Sequence, residues 1–183
     1  MIKQLLELYK VIEKNKSKFE EKGLKSNFFM DVYRSQPYEP ELYEYFSLPA
    51  IFVDYTMQGQ GKGRPRLITM PLHVITDEMP DASNISLQKD EGLKRFLYHL
   101  VLQEILEGCK LGRTSPLAFQ TENIIDESGV NYHTQVYEFD AYLQDMLIDT
   151  PEQIYGEFER LNIFGTLRNR ALLKPSNVDF KGQ

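Results

Sequence analysis

Pro49-Ala50-Ile51-Phe52-Val53-Asp54-Tyr55-Thr56 and Arg66-Leu67-Ile68-Thr69-Met70-Pro71-Leu72-His73-Val74-Ile75-Thr76 are the stretches whose reading decides the fold. The first is a short apolar run rich in β-branched and aromatic residues, which predicts a buried strand. In the second, Ile68, Met70, Leu72 and Val74 fall on one face at period 2, and Pro71 and His73 point to the other. A proline cannot donate to a sheet ladder, so Pro71 predicts an edge or a bulge, and an exposed edge is a place for another subunit to add. Between the two strands lies Gln58-Gly59-Gln60-Gly61-Lys62-Gly63-Arg64-Pro65-Arg66, with three bases, three glycines and no acid. It lacks the Gly-Lys-Ser/Thr ending of a phosphate-binding loop, and a strand follows rather than a helix, so it reads as a long hairpin tip.

Working outward, residues 1–22 predict an amphipathic helix, with Ile2, Leu5, Leu6, Tyr9 and Ile12 at helical spacing and Gly23 as the stop. Residues 27–34 predict a strand. The stretch 35–47, with Pro37 and Pro40, predicts an irregular segment or a short helix after Pro40. Residues 77–88 form a polar connector. A central helix is predicted over Asp90–Glu107, its apolar face carrying Leu93, Phe96, Leu97, Leu100, Val101 and Ile105, with Gly108 ending it. Residues 117–125 and 131–143 predict a hairpin, and Pro151–Leu161 a short last helix. The expected fold is α+β: an antiparallel or mixed sheet with a long hairpin and helices on one face. Residues 1–150 form the expected domain, and 151–183 an extension with a short helix and a basic tail.

The chain has 183 residues, 42% hydrophobic and 26% charged, which fits one globular domain with a tail and excludes full disorder. No stretch approaches the roughly 18 apolar residues of a membrane span, so no membrane partner is expected. The N-terminal residues lack a signal-peptide apolar core. Residues 160–183 hold five bases against Asp179, a net +4, which leaves −10 for residues 1–159. An acidic body repels nucleic acid, and a basic tail either docks on a neighbouring copy or stays solvated without a specific partner. The aromatic run Tyr38, Tyr43, Tyr45, Phe46, Phe52 and Tyr55 is nearly free of cations, which favours a subunit interface over base stacking.

Signals for catalysis are thin. His73, His99 and His133 have no partner at metal-ligand spacing; His99 reads as a helix residue at the core margin, and the other two as solvated or interface residues. Cys109, the single cysteine, reads as a buried inert thiol. No Gly-x-Ser-x-Gly elbow occurs, and no cofactor or resident metal is indicated. The alternative with the right residue types is a carboxylate-metal nuclease or other DNA-processing enzyme using Asp54, Glu78 and Lys62, although their spacing does not match such a site.

The order of elements resembles the tail terminator and tail-completion proteins of long-tailed bacteriophages. The resemblance spans most of residues 1–145. It runs through the opening helix, Leu48-Pro49-Ala50-Ile51-Phe52-Val53, the basic hairpin and Leu67-Ile68-Thr69-Met70-Pro71-Leu72-His73-Val74. It continues through the helix around Leu93–Leu106 and the closing hairpin at Val136-Tyr137-Glu138-Phe139. It implies a non-enzymatic virion protein of the neck, a homo-oligomeric ring, usually hexameric, that ends the tail tube and joins it to the head-side connector. The implied setting is the virion, with assembly in the host cytoplasm and DNA passing the lumen without sequence-specific binding. Residues 35–47 and those after Pro151 depart from the pattern as additions. The expected contact residues are Lys62, Arg64 and Arg66 at the tip, Tyr43 and Tyr45, Pro71, and Arg168 and Arg170 in the tail.

Overall fold

A computed structural model describes residues 1–38, 46–77, 79–125 and 129–147. In chain order the elements are α1 (Ile2–Lys14), α2 (Lys16–Glu20), β1 (Phe29–Val32), a 3₁₀ turn (Gln36–Tyr38), β2 (Ala50–Val53), β3 (Thr56–Gly59) and β4 (Arg66–Asp77). They continue with α3 (Lys89–Leu93), α4 (Arg95–Leu106), β5 (Ala118–Ile125), β6 (Val130–Ala141) and α5 (Leu143–Met146). Among the described residues the strands form one mixed sheet, β1-β2-β4-β6-β5, with β3 also paired to β4. Among these strands β1–β2 pairs parallel and the other described pairings are antiparallel. The architecture is the expected α+β.

β4 sits inside the sheet and pairs with β6 along all twelve of its residues, from Arg66↔Ala141 to Asp77↔Val130. Its other side takes β2 and then β3 in a single register, Val53↔Leu72 and Thr56↔Thr69. The expected exposed edge at Pro71 is therefore corrected. The backbone N–H of Asp54 donates to the Pro71 carbonyl at 3.0 Å, but Pro71 has no N–H to return. The ladder lapses there, and the predicted strand 49–56 divides into β2 and β3. The proline is tolerated in an internal strand because its missing donor faces that break.

Both faces of β4 touch a core, one along most of the strand and the other near Ile75. Ile68, Met70, Leu72 and Val74 pack against Leu8 and Ile12 of α1, Phe19 of α2 and Leu102 of α4 in the larger core. On the other face Ile75 joins Ala50, Phe52 and Tyr132 in a smaller one, flanked by Phe29, Tyr33 and Phe46. This second core revises the reading of the aromatic run. Phe46 stands edge-on to Phe52 at 5.0 Å and stacks on Phe29 at 5.7 Å, so both serve the core rather than a subunit interface. Tyr38 and Tyr55 remain exposed, and Tyr43 and Tyr45 lie outside the described residues. Two-sided burial also explains why β2 reads as a continuous apolar run rather than an alternating one.

The helices depart from the expected pattern in rotation and continuity. The 1–22 helix breaks at Asn15, whose side-chain amide donates to the Val11 carbonyl at 2.8 Å. Gln4, Leu8 and Ile12 face inward in α1, while Ile2 and Leu6 face outward. Two bonds hold that rotation: Gln4 Nε2 donates to the Asp145 carbonyl at 3.0 Å, and the Met1 ammonium to the Met146 carbonyl at 3.3 Å. The 90–107 helix divides at Lys94 into α3 and α4. Tyr98, His99, Val101, Leu102, Ile105 and Leu106 are buried, and Leu93, Phe96 and Leu100 of the expected face are exposed. The Tyr98 hydroxyl helps fix this orientation by accepting from the Lys25 N–H at 3.0 Å and donating to the Lys25 carbonyl at 3.3 Å. Leu143, expected on a strand face, begins α5 and is half exposed.

Met1–Met146 forms one compact unit. The expected boundary at 150, the helix over 151–161, the basic tail and Glu78 lie outside the described residues. Within the unit, Gly92 of α3 lies against the connector, where a Cβ would come within 2.3 Å of the Pro80 carbonyl oxygen. Gly92→Ala is expected to cost about 1–3 kcal/mol. Gly59→Ala, whose Cβ would meet nothing within 4 Å, should stay within about 0.5 kcal/mol. Urea unfolding of the two variants checks this.

Candidate functional site

The β3–β4 hairpin carries the basic tip. Its chain reversal uses Gly61 at φ 111° and Gly63 at φ 76°, backbone conformations that side chains with a Cβ rarely adopt. The Arg64 N–H donates to the Gly61 carbonyl at 3.3 Å. Lys62 and Arg64 are exposed, and neither has an ion-pair partner among the described residues. Arg66 is half-buried, with Nη1 3.5 Å from Met57 Sδ.

The structure adds a floor to this tip that the local sequence does not reveal. Arg66 pairs with Ala141, so the chain leaving β6 runs beside the hairpin turn. Tyr142, Leu143 and Gln144 join Lys62, Arg64 and Arg66 around an open cleft of about 450 Å³. Asp140 also comes near, its carboxylate accepting from Gln60 Nε2 at 3.4 Å, so the acid-free character of the tip holds in sequence but not in space. The β4–β6 register was the signal that would have linked these segments. Such a cleft suits carboxylates approaching with an apolar neighbour, since guanidinium and ammonium groups bind anions while Leu143 and the Tyr142 ring offer apolar area.

The structure gathers Lys62, Arg64 and Arg66 and separates them from Pro71, which lies five residues along β4, about 17 Å away at strand spacing. Tyr43, Tyr45, Arg168 and Arg170 lie outside the described residues. Asp54, the carboxylate of the nuclease alternative, accepts from the Tyr55 N–H at 2.7 Å at the break between β2 and β3. Among the described residues no three His, Cys, Asp or Glu side chains are grouped to hold a metal ion.

A second polar cluster lies between α4 and the β5–β6 hairpin. His133, expected to be solvated or at an interface, is buried, and its ring stacks on that of His99 with centroids 3.7 Å apart. His99 Nδ1 bonds the Glu122 carboxylate. Gln135 Nε2 donates to the His99 carbonyl at 2.9 Å and to Glu122 at 2.8 Å, and the Tyr137 hydroxyl donates to Gln135 Oε1 at 3.1 Å. His133 Nε2 has no partner among the described residues. Burial, reinforced by the charge of His99, holds His133 well below the ordinary histidine range. On the other sheet face, His73 bonds the Tyr132 hydroxyl at 2.6 Å and stacks on Tyr33. Burial lowers its pKa, with Asp54 opposing. Cys109, expected to be buried, is only partly so.

No family model matches the chain, and no curated protein does. Among solved structures, a chain of the virion of a native gene transfer agent particle aligns with a TM-score of 0.33 and 14% identity. That alignment covers 61% of this chain and 76% of the other.

His133 and His73 make stability depend on pH. In the unfolded chain each takes up a proton near pH 6.5, whereas folding lowers the pKa of both His133 and His73. Below about pH 6.5 the unfolded state binds more protons, so stability falls as pH falls, by at most about 1.4 kcal/mol per pH unit for each histidine. Urea unfolding at pH 7.5 and 5.5 should show this loss. His133→Leu should reduce the difference, and an unchanged slope in that variant would contradict the assignment.

Proposed function

We propose that this chain is a structural protein of a phage-type particle, acting at the head–tail junction as a subunit of a homo-oligomeric ring. In this reading it ends the tail tube and meets the head-side connector, in the virion after assembly in the host cytoplasm. The observation that supports it is the exposed basic tip: among the described residues Lys62 and Arg64 have no carboxylate partner at one end of β4, on a sequence whose first 159 residues carry −10. Cations presented in this way suit a contact surface, because partner carboxylates there meet charge not already neutralised at home. The element order, which resembles tail terminators, agrees. An acidic body lets DNA pass without sticking, since affinity grows with the number of phosphates neutralised. In the same reading Tyr43, Tyr45, Arg168 and Arg170 add contacts from the two segments that exceed the family pattern.

Reversing all three tip charges, Lys62→Glu, Arg64→Glu and Arg66→Glu, is expected to leave the circular dichroism spectrum and the melting temperature nearly unchanged. It should lower the yield of joined particles at least tenfold, counted by electron microscopy. Normal joining by that variant would remove the tip from the reading. Divalent-metal-dependent DNA cleavage that disappears in Asp54→Ala would replace the reading with the nuclease.

A further inference from the structure

β4 separates two unlike surfaces. Its twelve residues span about 36 Å from the first Cα to the last. At the Arg66 end lies the basic cleft, with Tyr142 and Leu143 46% and 50% exposed. Beyond the Asp77 end, the connector to α3 exposes Ile85 at 85% and Leu87 completely. Among the described residues these are the two most exposed large apolar side chains. The same stretch of chain exposes Asp81 and Asp90, with Lys89 and, near Asp81, Arg95 as counter-charges; Asp81 also accepts from the Ser83 N–H at 2.9 Å, and Glu91 is already paired with Lys94 at 2.7 Å. The connector is held in place rather than free to fold back: Arg95 donates to the Pro80 and Gly92 carbonyls, at 3.1 Å and 3.0 Å, and α3 lies against it at Gly92.

The two ends are complementary in kind. One offers cations beside an apolar floor, and the other offers apolar knobs beside carboxylates. Complementary patches at different places on one chain make a heterologous contact, which repeats head to tail and closes into a ring when the rotation per step divides a full turn. We propose that the connector of one copy docks into the tip cleft of the next, with Leu87 and Ile85 against Leu143 and Asp81 and Asp90 against Lys62 and Arg64. This rests on the self-assembling reading above and names the two surfaces that meet. The acidic connector, not a DNA phosphate, is the occupant, because the acidic body repels a polyanion at long range while two exposed carboxylates match two cations that have no ion-pair partner among the described residues.

The test uses the full-length chain and two exposed-site variants, one with the tip reversed (Lys62→Glu, Arg64→Glu) and one with the connector broken (Leu87→Ser, Asp90→Lys). Circular dichroism and thermal melts verify that both fold. Sedimentation velocity should show each variant self-associating at least about tenfold more weakly than wild type, the effect of losing one buried leucine or its paired charges. Mixed together, they should form a 1:1 dimer and nothing larger, since only the tip of one and the connector of the other remain intact. If wild type assembles and both variants assemble equally well, or if the mixture stays monomeric, the contact is wrong while self-assembly stands. A wild-type chain that is strictly monomeric at all concentrations overturns both. Loss of a DNA-induced shift in the tip variant, with self-association unchanged, would assign the cleft to nucleic acid and overturn the proposal.

Discussion

β4 has a strand on each side and a core on each face, and this crowding organises the rest of the unit. Every polar backbone group of a strand so enclosed needs a partner. β6 supplies partners along the whole length of β4, and β2 and β3 share the other side. The one residue that cannot take part fully is Pro71, and the sheet lapses opposite it at Asp54 rather than forming a strained pair. The same full-length pairing brings Ala141 beside Arg66 and so puts Tyr142–Gln144 next to the basic tip. A one-residue slip would exchange the faces of Ile68, Met70, Leu72 and Val74 with those of Pro71 and His73, so the larger core and the tip cleft depend on the same register.

The larger core is not wholly apolar. His99, Glu122, Gln135 and Tyr137 make a bonded network across α4, β5 and β6. Burial, with Glu107 and Glu122 nearby, pushes the Tyr137 phenol well above its ordinary range, so it remains a donor to Gln135. Such a network fixes how α4 sits on the sheet, since sliding the helix by a turn would strand a carboxylate and an amide in a low dielectric. This cross-link carries the role that the sequence assigned to an uninterrupted apolar helix face. It leaves the stripe of Leu93, Phe96 and Leu100 outside.

Because β4 runs twelve residues through the sheet, what it carries at its two ends is held apart by the sheet itself. Short contacts at the ends of rigid elements keep their geometry better than contacts on independent loops. The tip draws its rigidity from the β3–β4 pairing, and the connector draws its own from α3 and Arg95. Both surfaces therefore inherit their positions from the same strand, and that arrangement suits a subunit working through contact with its neighbours.

The local sequence by itself determined a strand over 66–76, a hairpin over 117–125 and 131–143 that the structure ends at Ala141, the hairpin tip, and the glycine stops at Gly23 and Gly108, because periodicity and backbone freedom are properties of consecutive residues. It determined the α+β class for the same reason. Only the tertiary structure decided that Pro71 lies inside the sheet, that Phe46 and Phe52 build a second core, that His133 is buried against His99, and that Tyr142 and Leu143 floor the tip. Each of these depends on which element lies beside which, and contact between residues far apart in the chain leaves no trace in local spacing: Leu8 and Ile12 fit the same helix whichever way it is rolled, until Asp145 and Met146 arrive to accept from Gln4 and Met1.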